Sequence, residues 1–115
     1  MIMNYEAEKN LAASRAGIIK SLAHPTRLFM VELLSKESMS VGDLTAAVGV
    51  DVSTVSKHLS QLKQAGILVD HKDGNRVLYS LLCPCILDFI HCVDDVINKD
   101  PEAGFSCSLP GAKKN

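Results

Sequence analysis

The chain has 115 residues, of which 47% are hydrophobic and 22% are charged, and its formal net charge is −1. This length and composition indicate one packed domain and exclude a chain that is disordered throughout. No apolar run approaches the roughly 20 residues that cross a bilayer, and the first residues lack the apolar segment of a secretory signal. We therefore expect a cytoplasmic protein with no membrane partner.

Three helices are predicted in the first half of the chain. Residues 6–22 consist mainly of good helix formers, with apolar residues at helical spacing. A second helix begins at Pro25, because proline suits the first turn of a helix. Ser40, followed three residues later by Asp43, predicts the start of a short third helix that ends at Gly49.

A fourth helix and a hairpin follow. Asp51 is a good N-cap for a helix that runs to Ala65, where Gly66 supplies the stop. Residues 67–69 and 77–79 are β-type runs, and the Asp-Gly pair at residues 73–74 is a turn signal between them. We expect a β-hairpin with a charged tip.

A last, largely apolar helix is predicted over residues 84–98, and Pro101 prevents it from continuing. The order of elements predicts a mainly α fold with one β-hairpin between the fourth and the last helix. We expect residues 1–100 to form one domain. Residues 101–115 show turn residues without periodicity, so we expect a flexible tail there.

The fourth helix, residues 52–65, is the expected reader of a helix-turn-helix and is called the reader helix below. In such motifs the N-terminal part of this helix lies in the major groove. The apolar residues expected to pack inward are Val52, Val55, Leu59 and Leu62. The residues expected to face outward and contact DNA are Ser53, Thr54, Ser56, Lys57, His58 and Gln61.

Charge supports this interpretation. Basic residues outnumber acidic ones in residues 52–82, and the reverse holds in residues 83–115. Hydroxyl, amide and ammonium groups bind phosphates and base edges, and Lys72 and Arg76 in the hairpin are expected to follow the DNA backbone. As an alternative, the Ser53 and Thr54 hydroxyls satisfy only the end of the helix.

Three separated segments resemble one family in the right order. LAHPTRLFMVELL, VGDLTAAVGVDVSTVSKHLSQLKQAGIL and HKDGNRVLYSL are similar to the ArsR/SmtB metal-sensing repressors, and the resemblance covers about residues 15–82. It implies a mainly α, winged helix-turn-helix fold in which the β-hairpin is the wing. A homodimer assembled through the first and last helices is implied as well, with residues 1–100 as the winged-helix DNA-binding and dimerisation domain. It also implies repression by binding double-stranded operator DNA, relieved when a ligand binds.

All four cysteines, namely Cys83, Cys85, Cys92 and Cys107, lie in the last third of the chain. In a reducing compartment such a cluster is more often a metal or redox site than a set of disulfides. Cys83, Cys85 and Cys92 resemble the cysteines of arsenic-responsive family members, and Cys107 is an alternative to Cys83. As(III) and Sb(III) are soft centres that favour three thiolates, so either ion is the expected inducer.

Two physical conditions apply to this thiol site. A helix N-terminus stabilises thiolates, so we expect lowered thiol pKa values at Cys83 and Cys85. Within one continuous helix, however, Cys85 and Cys92 are roughly 10 Å apart, too far for one ion. Either the helix starts after Cys85 and the chain around Pro84 folds back, or sulfurs come from both subunits.

Other functions remain open. The same repressor fold could sense zinc or cadmium through His91 or Asp88, or a redox or sulfur signal through Cys85 and Cys92. A thiol enzyme is a further alternative. The Cys-Pro-Cys sequence is not the Cys-x-x-Cys of thiol reductases, and no catalytic constellation accompanies it. We therefore expect no enzymatic activity and no catalytic cofactor.

Overall fold

The computed structural model describes residues 4–99. The chain divides after Leu82 into two compact units, which we describe separately. The predicted extent of the domain, residues 1–100, stays a prediction, and the tail expected at residues 101–115 lies outside the described residues.

Four helices form the first unit together with a small sheet. They are α1 (Tyr5–Leu22), α2 (Pro25–Lys36), α3 (Val41–Val48) and α4 (Val52–Gln64). Side chains cap all four N-termini, and the caps at Ser40 and Asp51 were expected. The imidazole of His24 accepts from the Thr26 N–H, and Ser40 and Asp43 form a reciprocal capping box. All four predicted helices are confirmed.

The sheet has three antiparallel strands, β1 (Met39–Ser40), β2 (Leu68–Asp73) and β3 (Arg76–Leu81), in the order β1-β3-β2. β2 and β3 form the predicted hairpin, which is the wing. Its strands extend to the pair Asp73 and Arg76, farther than the apolar runs indicated, because backbone pairing continues through the charged residues. The two-residue strand β1 is too short to show a period in the sequence.

The core of this unit lies beneath the reader helix. α4 packs against α1, α2, α3 and β2. The buried apolar side chains are Leu22, Met30, Val31, Leu34, Leu44, Val55, Leu59, Leu62, Ile67 and Leu68. These residues come from every helix of the unit, so one shared core fixes how α4 sits among its neighbours.

The second unit contains helix α5 (Ile86–Ile97). It begins two residues later than predicted, because Pro84 lies in a preceding turn. In that turn the N–H groups of Ile86, Leu87 and Asp88 donate to the carbonyls three residues earlier, each at 3.1 Å. No residue of α5 is fully buried. Between residues 4 and 99 no helix is both long and apolar enough to cross a membrane.

Candidate functional site

The turn between α3 and α4 is set by local interactions. Gly49 ends α3 with φ = 80°, a conformation that favours glycine, and its N–H donates to the Thr45 carbonyl at 2.9 Å. Asp51 then caps α4. The start of the reader helix is therefore held on both sides of the turn.

Asp51 accepts hydrogen bonds from several polar groups in the first turn of α4. Its carboxylate accepts the Thr54 N–H at 3.1 Å, the Thr54 hydroxyl at 2.7 Å and the Ser53 hydroxyl. These hydrogen bonds, first that from Ser53 and then those from Thr54, lower the pKa of Asp51 to about 2. The two hydroxyls therefore stabilise the helix end in the protein without DNA.

The outer face of α4 is polar beyond the first turn. Ser56, Lys57 and Gln61 are exposed, as expected, together with Ser53, while Thr54 is half-buried. Lys57 has no ion-pair partner among residues 4–99. This face combines short hydroxyls with one cation and one amide, which are groups that bind phosphates and base edges.

Two side chains of α4 point the opposite way from the expectation. Val52 was expected inside, but it is 56% exposed. His58 was expected to face DNA, but it is only 8% exposed, because its ring lies against residues at the start of α2. His58 is therefore corrected from an outward DNA contact to a core residue.

Arg27, in the first turn of α2, links α2 to the reader helix. Its Nη1 lies 3.4 Å from Nδ1 of His58 and donates to the side-chain oxygen of Gln61. Burial, and then the charges of His24 and Arg27, lower the pKa of His58. His58 is thus favoured in its neutral form, and Gln61 is held in one orientation.

The wing is joined to α3 by an ion pair. Arg76 donates to Asp43 at 2.7 Å, and both side chains are about half exposed. The pKa of Asp43 is lowered, first by hydrogen bonds from Ser40 and then by Arg76. Lys72 is exposed on β2 without an ion-pair partner in the described part of the chain. Both expected wing cations are accessible, but Arg76 would have to leave Asp43 to bind a phosphate.

The structure brings two of the cysteines together. The sulfur atoms of Cys83 and Cys85 are 2.9 Å apart, and both residues are exposed. The neighbouring Cys83 thiol raises the pKa of Cys85, through a hydrogen bond first and then through charge. This is opposite to the expected lowering, since a second sulfur at this distance outweighs the helix N-terminus.

The third sulfur is not supplied within the described residues. Cys92 is half-buried on α5, and residues 4–99 contain no group of three His, Cys, Asp or Glu side chains placed to hold a metal ion. Cys107 lies outside the described residues. α5 does start after Cys85, as the folded-back arrangement requires, but the source of the third sulfur stays a prediction.

Two residues with clear interactions were not singled out from the sequence. Arg27 is a charged residue in an otherwise largely apolar segment of α2, which is the signal that could have identified it. Asp43 was recognised only as a cap, and its contact with Arg76 joins residues 33 positions apart. Such a pairing has no local sequence signature.

Comparison with known proteins agrees with this geometry. Residues 24–69, from the start of α2 into β2, match the family described as "Bacterial regulatory protein, arsR family". The matched segment contains the helix-turn-helix and the Arg27 contacts, but it ends before the cysteines.

Individual relatives extend the match. The HTH-type transcriptional regulator Rv0081 of Mycobacterium tuberculosis is 38% identical over 77 residues, which cover 66% of this chain and 68% of that protein. The transcriptional repressor SdpR of Bacillus subtilis is 33% identical, with 72% and 92% covered. The crystal structure of NolR from Sinorhizobium fredii aligns with a TM-score of 0.72 and 27% identity, with 84% and 95% covered.

Proposed function

The chain belongs to the ArsR family of bacterial regulatory proteins, and on this premise we propose that it is a homodimeric repressor of transcription. The reader helix binds operator DNA, and As(III) or Sb(III) releases the protein by binding its cysteines. The observation that carries the proposal is the polar outer face of α4, whose first turn is held by Asp51. Membership of a family of regulators agrees with the expectation that the chain is not an enzyme.

Charge and exposure support DNA binding by this face and the wing. Lys57 and Lys72 are exposed and without ion-pair partners within residues 4–99, so they can bind phosphates without breaking an existing contact. Ser53, Ser56 and Gln61 carry groups suited to base edges. The contacts of the two lysines with phosphates supply affinity, and the contacts of the polar side chains with base edges supply sequence preference.

Exposed apolar residues support dimerisation through α1 and α5. On α5 they include Phe89, Val93 and Val96, and on α1 they include Leu11 and Ile19. Apolar surface of this kind on two helices is typical of an interface. A dimer would present two reader helices to two half-sites, which a single short reader helix cannot do.

The Cys83–Cys85 pair supports a three-coordinate thiophilic ion as the inducer. If the bonds are as long as the zinc–thiolate bond, about 2.3 Å, a linear centre needs sulfurs ~4.6 Å apart and a right-angled one needs ~3.3 Å. The observed 2.9 Å lies near the second value. We propose that Cys92 completes the set, from the same subunit after a rearrangement or from its partner, and that Cys107 is the alternative third ligand.

The position of the Cys83–Cys85 pair in the chain explains how ion binding would release the protein from DNA. Cys83 comes two residues after the end of β3, and Cys85 is the N-cap residue of α5. Drawing a third sulfur to the pair changes the start of α5, which is the proposed dimer helix. A coupling typical of allosteric proteins, about 1–3 kcal/mol, lowers DNA affinity by roughly 5- to 150-fold.

The DNA-binding part is tested with duplexes selected from a random pool by the protein itself. We expect Lys57→Ala and Arg76→Ala to weaken binding on all sequences and to reduce the salt dependence, because both residues neutralise phosphates. Lys9→Ala, at an exposed lysine of α1, is the matched control and keeps the wild-type slope. If both test variants keep the wild-type salt dependence of DNA affinity, Lys57 and Arg76 do not contact phosphates.

The inducer is tested by releasing the protein from the selected duplex. Arsenite releases the wild type, while Cys85→Ser and Cys92→Ser bind the duplex normally and stay bound. Cys83→Ser and Cys107→Ser identify the third ligand. Normal release of both the Cys85 and Cys92 variants refutes the thiol site. Release of the wild type by zinc or by a thiol oxidant, and not by arsenite, replaces this inducer with the corresponding alternative.

A further inference from the structure

Val52 is the first residue of α4 and lies on the outer face of the helix. The exposed face contains Val52, Ser53, Ser56, Lys57, Ser60 and Gln61. Val52 is its apolar member, on the same side as Ser56 one turn later. The face is therefore polar except at the end that enters the groove in helix-turn-helix proteins.

Helix formation does not explain a valine at this position. β-Branched residues are weaker helix formers than most, and Val52 gains little burial, since more than half of its surface is exposed. The cap is supplied by the preceding residue, Asp51. The side chain of Val52 is thus available for a contact with a partner.

The surrounding groups favour base edges over the phosphate backbone as that partner. The Ser53 and Thr54 hydroxyls donate their protons to Asp51, so in this arrangement they have none for phosphate oxygens. Asp51 itself, with a pKa of about 2, is negatively charged at neutral pH and repels phosphates. The first turn of α4 is therefore poorly suited to the backbone.

We propose that Val52 contacts the C5-methyl group of a thymine in the major groove and so selects T at one position of each half-site. Of the groups that bases present in this groove, the thymine methyl is the apolar one. An apolar side chain at the tip of a reader helix matches it, whereas cytosine at the same position offers no methyl group. This inference rests on the proposed function, because it requires α4 to enter the groove.

Deoxyuridine provides the test, because it removes the methyl group and leaves every hydrogen-bonding edge unchanged. Duplexes are selected from a random pool with the wild type, and each thymine is then replaced singly by deoxyuridine. We expect one position per half-site at which the wild type loses about fourfold in affinity, the factor that corresponds to one buried methylene-sized group.

Variants of Val52 then assign that position. Val52→Ser binds the thymine and deoxyuridine duplexes equally, whereas Val52→Thr, which keeps one methyl group, retains part of the difference. Val69→Ala truncates a valine that is also exposed but lies in β2, and it keeps the full wild-type difference. Because Val52 is exposed, we expect the serine variant to fold. A melting temperature close to that of the wild type checks this.

The outcomes separate this inference from the function on which it rests. Failure of the pool to enrich any duplex refutes sequence-specific DNA binding. If duplexes are enriched but Val52→Ser keeps the wild-type sensitivity to deoxyuridine, or the wild type shows none, thymine recognition by Val52 is refuted while DNA binding stands.

Discussion

The imidazole rings of His24 and His58 lie 4.5 Å apart, centre to centre, at an interplanar angle of 50°. His24 is the N-cap of α2, and its Nδ1 accepts a hydrogen bond from the Thr26 N–H at 3.1 Å. His58 is buried in the middle of α4, and Arg27 lies beside it. The two rings therefore connect the start of α2 to the reader helix.

This contact makes stability depend on pH. The pKa of His58 is below its ordinary 6.5, first because of burial and then because of electrostatic interactions with His24 and Arg27. As the pH falls, the unfolded chain therefore takes up this proton before the folded one does. The contribution to stability is complete above about pH 6.5 and is lost progressively below it.

Denaturant unfolding between pH 5 and 7.5 measures this effect. We expect His58→Gln to be less stable than the wild type at pH 7.5 but to lose less stability on acidification. His71→Gln, at an exposed histidine of β2, is the control and keeps the wild-type pH dependence. Equal slopes for His58→Gln and the wild type would contradict the assignment.

We expect the Asp43–Arg76 ion pair to restrain the proposed DNA binding by the wing. Asp43→Asn releases Arg76 and keeps an oxygen that can accept from the Ser40 N–H, so the capping box survives. We expect tighter DNA binding and a steeper salt dependence, by up to about one charge per subunit. Titration of the selected duplex at several salt concentrations measures both.

Two comparisons distinguish this restraint from a general effect of charge. Asp70→Asn releases Lys63 from the other described ion pair, in which 3.0 Å separate the charged atoms and Asp70 is partly buried, and it should change binding less. In an Arg76→Ala background, Asp43→Asn should also have a smaller effect. If Asp43→Asn acts equally with and without Arg76, the ion pair does not restrain the wing.

The Asp51 cap stabilises the start of the reader helix. Asp51→Ala removes the acceptor of the Thr54 N–H, so we expect a melting temperature lower by a few degrees. Asp51→Ser keeps a capping oxygen and recovers most of the melting temperature. An unchanged melting temperature for the alanine variant would show that the cap is dispensable.

Acid unfolding gives a second measure of the same cap. With a folded-state pKa of about 2 against an ordinary 3.8, Asp51 contributes fully above that ordinary value. Its contribution is lost as the pH falls towards 2. Calorimetry should show the wild type and Asp51→Ala converging in stability over this interval, and a constant difference would contradict the assignment.

The dimer interface is tested on α5. Val93→Lys places a charge on the exposed apolar side of the helix, so we expect monomers, because an unpaired charge would be buried on association. Asp94→Lys changes the adjacent, exposed polar position and should leave the dimer intact. Sedimentation velocity distinguishes the two, and a dimeric Val93→Lys would mean that the interface lies elsewhere.

Much of the fold follows from local signals in the sequence. The cap at Asp51, the proline at the start of α2 and the stop at Gly66 each act within one turn of the backbone, so the sequence placed the first four helices correctly. The start of α5 was predicted at Pro84, but the helix begins at Ile86. A proline is compatible with both a helix and the turn before it, so it does not separate the two.

The orientation of individual side chains on α4 depended on the tertiary structure. Periodicity assigned Val52 to the core and His58 to the surface, because it weighs only the polarity of each residue. In the folded unit α2 brings His24 and Arg27 against residue 58, while Val52 remains more than half exposed. Likewise, the spacing of Cys83 and Cys85 is visible in the sequence, but the turn around Pro84 places their sulfur atoms 2.9 Å apart. Local sequence determined where the first four helices begin, whereas burial and long-range contacts depend on neighbours that are distant in the chain.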